Sequence, residues 1–159
     1  RYIDDILVDV DDYDHLMTLK HQLEQISGLQ FTTEVSEGGK ISFLDVSLDV
    51  NSGSFETTVY RKPTDMGRCL NGASHCPDRY KDSVVKAYVN RALTHCSTWE
   101  LVDAELRRVK QILTNNGYSV HVIDKHIHDA VTKFTERQPT RTPDGTEHRL
   151  FYKNTMSPA

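Results

Sequence analysis

The chain has 159 residues, of which 37% are hydrophobic and 26% charged, with a formal net charge of −4. This is room for one ordinary domain or two small ones. No apolar run approaches the ~18 residues of a membrane-spanning helix, so the expectation is a soluble protein with no membrane partner. No basic-then-apolar leader opens the chain, which also lacks an initial Met, and we read it as an unprocessed piece of a larger protein.

The charge is unevenly spread. Residues 1–60 carry 3 basic and 12 acidic side chains, a net −9, and residues 61–159 carry 16 and 11, a net +5. An acidic first part followed by a basic second part suits an enzyme whose second half holds a polyanion, although a solvated surface is the default explanation for any such tilt.

In chain order, Arg1-Tyr2-Ile3-Asp4-Asp5-Ile6-Leu7-Val8 reads as a strand, a two-residue turn and a second strand. At least one of the two carboxylates at the tip, Asp4 and Asp5, is expected to face open space, a natural place for a divalent cation, while the plain alternative is a solvated turn. Asp11, Asp12 and Asp14 supply N-cap candidates for a helix with an apolar stripe at Leu16, Leu19, Leu23 and Ile26, ended by Gly28. Gln30 to Val35 reads as a strand, with a turn at Glu37-Gly38-Gly39-Lys40. Ile41 to Val50 alternates apolar and polar residues as one half-buried strand. Asn51-Ser52-Gly53-Ser54 then turns the chain into a last strand over 55–60. Five strands and one helix in sixty residues make an α+β pattern with an antiparallel sheet.

At Arg61-Lys62-Pro63-Thr64 the character changes, and 63–78 shows no periodicity. A helix is expected from Asp78 or Arg79, with Val84, Val85, Tyr88, Val89 and Ala92 inward and Lys81, Lys86 and Arg91 largely outward. Ser97-Thr98-Trp99-Glu100 fits a capping box for a second helix through Leu113, which stops at Asn115-Asn116-Gly117. A third helix runs from Val122 to Phe134, with His121, His126 and His128 read as solvated. From Thr135 onward, Pro139, Pro143, Asp144-Gly145 and Pro158 mark a linker. The domains expected are therefore 1–62, 63–134 and 135–159.

Cys69, Cys76 and Cys96 are odd in number and lack CxxC spacing, as expected of reduced thiols in an intracellular protein. With His75 and His95 adjacent, zinc ligation competes with the simpler reading of small buried side chains.

Tyr2-Ile3-Asp4-Asp5 resembles the Tyr-X-Asp-Asp box of reverse transcriptases. Phe43-Leu44-Asp45-Val46, Tyr60-Arg61-Lys62-Pro63-Thr64 and Ser74-His75-Cys76-Pro77 narrow the resemblance to Penelope-like retroelement reverse transcriptases. It extends through Asn115-Asn116-Gly117-Tyr118 and Phe151-Tyr152.

The resemblance implies the C-terminal part of a palm, an antiparallel sheet with one packed helix, followed by a small three-helix thumb-like bundle. It implies RNA-directed DNA polymerisation in the full-length protein, with Asp4 and Asp5 as catalytic ligands of Mg2+ (or Mn2+). Tyr2, Phe43 and Leu44 would lie near nucleotide and primer. Arg61, Lys62, Arg68, Arg79, Lys81 and Lys86 would contact phosphates. The partners implied are an RNA template, a DNA primer, deoxynucleoside triphosphates and the missing palm and fingers, and the implied location is nuclear. Because the upstream catalytic aspartate does not precede Arg1, this fragment is expected to be inactive alone. The alternative is a non-enzymatic helix-turn-helix module centred on Asn115-Asn116-Gly117, with Arg107, Arg108, Lys110, Lys125 and Lys133 as phosphate contacts.

Overall fold

The computed structural model describes residues 4–51 and 54–137. Tyr2, the turn residues Ser52-Gly53, the segment from 138 onward and the Phe151-Tyr152 motif lie outside the described residues. The architecture is α+β, as the alternation of patterns predicts: a helix α1 (Tyr13–Ser27), strands β1 (Lys40–Phe43), β2 (Val46–Asn51) and β3 (Ser54–Val59), and helices α2 (Asp78–His95), α3 (Trp99–Asn115) and α4 (Val120–Arg137).

The sheet is an antiparallel meander in the order β1-β2-β3. Its register pairs Ile41 with Leu48, Phe43 with Val46 and Val46 with Val59, so these apolar side chains share one face, joined by Val50 and its partner Phe55. The expected single strand over 41–50 is in fact two. The chain reverses at Leu44-Asp45, where Leu44 takes φ 55, a left-handed conformation uncommon outside glycine. The Gly38-Gly39 turn forms as expected. Gly39 lies at φ 79, and a Cβ there would come within 2.8 Å of the Val50 carbonyl oxygen, so only glycine lets the chain pass.

Two expected strands are missing among the described residues. Residues 6–10 form none, and Ile6, Leu7 and Val8 stand exposed; a two-stranded ribbon with no face to cover it has little to hold it in water. Gln30 to Val35 is likewise unpaired, and Phe31 N–H donates instead to the Glu24 carboxylate at 2.9 Å.

Helix α1 begins at Asp12, whose side chain accepts from His15 N–H at 2.7 Å, and ends at Gly28 in the left-handed region. It buries none of its side chains, and Ile26 is 86% exposed. The expected packing of this helix on the sheet is not formed: α1 packs closely on no other element among the described residues.

The core lies in the three C-terminal helices. Val85, Val89, Val109, Leu113 and Ile123 are fully buried, each worth roughly 1.5–3 kcal/mol relative to exposure. Helix α2 touches both α3 and α4 and also β3. Trp99 at the start of α3 meets Phe134 near the end of α4 edge to face, with centroids 6.2 Å apart. Helix α4 is longer than the sequence pattern predicts at both ends. The α3 cap is shifted by one residue from the expected box: Thr98, rather than Ser97, accepts from Leu101 N–H. The Ser97 hydroxyl accepts from Thr57 N–H at 3.0 Å, and Ser97 N–H donates to the Thr57 carbonyl, tying β3 to the helices.

Candidate nucleic-acid interface

Helices α3 and α4 are joined by a four-residue turn, Asn116 to Ser119. Gly117 sits at φ 80 in that turn, and Tyr118 folds back into the core with 7% exposure. The Asn116 side chain fastens the turn from both sides. Its amide donates to the carbonyls of Gly67 at 2.7 Å and Ile112 at 2.8 Å, and its oxygen accepts from Cys69 N–H at 3.2 Å. Gly72 N–H donates to the Asn116 carbonyl, and a Cβ on Gly72 would collide with the Gly117 oxygen at 2.4 Å. The aperiodic segment before α2 is therefore laced to the helix-helix turn rather than loose.

On α4 the buried residue Ile123 and the half-buried Ile127, Ala130 and Phe134 define the inner face. His121, Lys125, His128 and Thr132, spaced four, three and four apart, form an exposed stripe on the opposite face. His126 departs from the expected solvated role: its side chain is 16% exposed and meets Asp82 of α2 at 3.1 Å. Among the cations, Lys110 is held by Asp124 at 2.7 Å and Arg107 by Asp103. Arg108, Lys125 and Lys133 are exposed with no ionic partner among the described residues.

The six cations assigned to phosphate contact by resemblance separate in the same way. Lys62, Arg68 and Lys86 are exposed and have no ionic partner among the described residues. Arg79 is exposed with its guanidinium 4.9 Å from the Tyr80 ring centroid, and Lys81 is half-buried 3.5 Å from Asp78. Arg61 is committed elsewhere. Its side chain is 10% exposed and forms a bidentate pair with Glu105, itself 11% exposed, one arm measuring 2.9 Å. The hydrogen bond to Glu105 holds the guanidinium above its ordinary value despite the opposing effect of burial. Fully engaged and nearly enclosed, Arg61 fastens β3's exit to α3 and has little left to offer a phosphate.

At the sheet–helix junction, Arg91 of α2 reaches the β1–β2 turn. Its Nη2 donates to Asp45 Oδ1 at 2.9 Å and to the Tyr60 carbonyl at 3.0 Å, while Tyr60 N–H donates to the Asp45 carbonyl at 2.8 Å. The Arg91 Nε is buried with no acceptor, a cost of roughly 1–3 kcal/mol set against the two bonds that Nη2 makes. Phe43 is a half-buried sheet residue, and Leu44 is exposed at the turn beside this junction.

Asp4 and Asp5 are both exposed. No group of three or more His, Cys, Asp or Glu side chains converges on a metal-sized site among the described residues. Two adjacent carboxylates are a partial donor set for magnesium, which takes one or two protein carboxylates and completes its shell with water and substrate phosphate. The three cysteines are free and half-buried, and burial pushes the thiols of Cys69 and Cys96 up.

Sequence reading missed Arg91, Glu105 and Asn116 as organising residues. Apart from Ile112, one turn before Asn116, their partners lie 31 to 49 positions away, and no local period encodes such a pairing.

Among the described residues, no helix is long and apolar enough to cross a membrane. No curated protein and no solved structure matches the chain. Residues 68–128, which span α2, α3, the turn and the first half of α4, match the family model of an animal helix-turn-helix domain.

Proposed function

We propose that this chain is a nucleic-acid-binding unit whose residues 68–128 grip a duplex through its phosphate backbone. The observation that carries the reading is the coincidence of the helix-turn-helix match with an α3–turn–α4 pair whose turn is held by the Asn116 hydrogen bonds and which bears exposed cations without ionic partners among the described residues. The matched segment holds nine basic and six acidic side chains, a net +3 inside a chain of net −4. A cation set on a phosphate releases counterions condensed on the duplex, and Arg108 and Lys125, exposed and without ionic partners among the described residues, are available for that contact.

A second, fuller reading contains the first: the three helices are the thumb, and the preceding sheet the end of the palm, of a retroelement RNA-directed DNA polymerase. It is supported by the Tyr2-Ile3-Asp4-Asp5 and Phe43-Leu44-Asp45-Val46 resemblances, by the exposed placement of Asp4 and Asp5, and by a hairpin turn set against a helical unit. In this reading Asp4 and Asp5 hold Mg2+, or Mn2+, together with a carboxylate from upstream palm. The chemistry supplied there would be two-metal nucleotidyl transfer, one ion activating the primer hydroxyl and the other steadying the leaving pyrophosphate. The substrates would be an RNA template, a DNA primer and deoxynucleoside triphosphates.

Binding of the chain to an RNA–DNA hybrid and to random double-stranded DNA tests both readings. Salt-sensitive binding that favours the hybrid supports the thumb. Strong preference for one duplex DNA sequence supports a stand-alone helix-turn-helix reader, and no binding to either refutes both. In a full-length parent, Asp4→Asn is expected to abolish primer extension while leaving the thermal unfolding profile in place; undiminished extension would remove the polymerase assignment.

A further inference from the structure

We infer that Arg91 is a positioning residue that makes the sheet–helix junction a second nucleic-acid contact, setting Lys62, a cation the resemblance already assigns to phosphate, beside the helix-turn-helix segment. The inference rests on the nucleic-acid reading above and carries the footprint outside residues 68–128.

The junction holds a groove of about 260 Å³ lined by Leu44, Asp45, Tyr60, Arg61, Lys62, Thr64, Asp65 and Arg91. Nearly every charge in it is already engaged. Arg61 is paired with Glu105 and lies 3.9 Å from Asp65, whose carboxylate also accepts from Gly67 N–H at 2.8 Å. Arg91 is paired with Asp45. Lys62 is exposed and has no ionic partner among the described residues, so it is the groove's available cation. Its backbone is fixed on both sides, by the anchored Arg61 before it and by Pro63 after it, which confines Lys62 to an extended conformation.

Arg91 makes this cation usable. Asp45 is 68% exposed and sits in the turn that borders the groove. Unpaired, its carboxylate would repel an approaching phosphate. The Arg91 guanidinium neutralises it and, through the Tyr60 carbonyl, pins the turn carrying the left-handed Leu44. Arg91 and Glu105 belong to α2 and α3, so the groove adjoins the helix-turn-helix segment and one duplex could run across both. Thr64, also exposed in the lining, adds a hydroxyl for a phosphate oxygen.

The test uses the whole chain and a short fluorescently labelled duplex, titrated across a salt series. Lys62→Ala is expected to weaken binding several-fold and lower the slope of log affinity against log salt by about 0.9, the loss of one phosphate contact. Arg91→Ala is expected to cause a similar loss, and in that background Lys62→Ala should add nothing further. Arg91→Lys, which returns a cation beside Asp45, should recover part of the binding; it also carries the comparison if Arg91→Ala fails to fold by circular dichroism. An unchanged slope for Lys62→Ala, or an equal cost in both backgrounds, overturns the inference while the helix-turn-helix reading stands. A wild-type chain that binds no duplex overturns that reading, and this inference with it.

Discussion

Asn116 ends α3, holds the helix-helix turn and anchors the segment before α2, all with one amide. Replacing it with Ala removes three hydrogen bonds and leaves the Gly67 carbonyl and Cys69 N–H without their partner in a half-buried site. The expected cost is on the order of 2–3 kcal/mol, read as a fall in the denaturant midpoint. His95 behaves differently. Burial and the nearby Arg91 hold its imidazole below the ordinary 6.5, opposed by Asp45, so the unfolded chain binds a proton more readily than the folded one. Its contribution to stability is therefore full above pH ~6.5 and lost as pH falls through the lowered folded value. Thermal unfolding between pH 5 and 7 should show that decline, and His95→Gln should flatten it; an unaltered pH profile would show that His95 is not its source. Asn115-Asn116-Gly117 is legible in the sequence as a helix stop, but the links of Asn116 to Gly67 and Cys69 and the shift at His95 are not, because they depend on groups brought near by the fold.

At the scale of elements, the three C-terminal helices were legible because each carries its own period. Val85, Val89 and Ala92 in α2, and Val109 and Leu113 in α3, are spaced to face inward and are buried. The sheet was less legible, and Leu44-Asp45 shows why. A two-residue reversal between paired Phe43 and Val46 puts Ile41, Phe43, Val46, Leu48 and Val50 on one face, so the inward positions switch from odd to even there; with no Gly or Asn at the turn, the apolar doublet Phe43-Leu44 is the local trace of that switch. The expected strands near residues 6–10 and 30–35 have apolar residues but no neighbour among the described residues to complete a ladder. The same is true of α1, whose apolar stripe has the right spacing and no packed partner. Joining sheet to bundle falls to a few polar links, chiefly Arg61 with Glu105 and Arg91 with Asp45. Glu105→Ala leaves a nearly enclosed guanidinium with only Asp65, 3.9 Å away, as an opposite charge and should cost on the order of 3 kcal/mol by equilibrium unfolding. A change below about 0.5 kcal/mol, the range of an ordinary surface substitution, would mean that the pair is not what joins them.

Across the whole molecule, charge is divided between an acidic first part, net −9, and a basic second part, net +5. The exposed Asp4 and Asp5 lie in the acidic part, while the exposed cations of the helical unit lie in the basic part and inside or beside the helix-turn-helix match. Ion pairing within the bundle decides which cations are free. Arg107 and Lys110 are held by neighbouring aspartates, so their exposure alone overstates their availability, whereas Arg108 and Lys125 carry no such partner. The sharpest test of the central claim is duplex affinity as a function of salt for the intact chain, the Arg108→Ala/Lys125→Ala double variant and a control, Arg107→Ala. The account predicts a linear fall of log affinity with log salt, a slope reduced by about 1.8 in the double variant and a smaller change in the control, since about 0.9 is lost per phosphate contact. A double variant that binds with the wild-type slope, or a chain that binds no duplex at low salt, would contradict it.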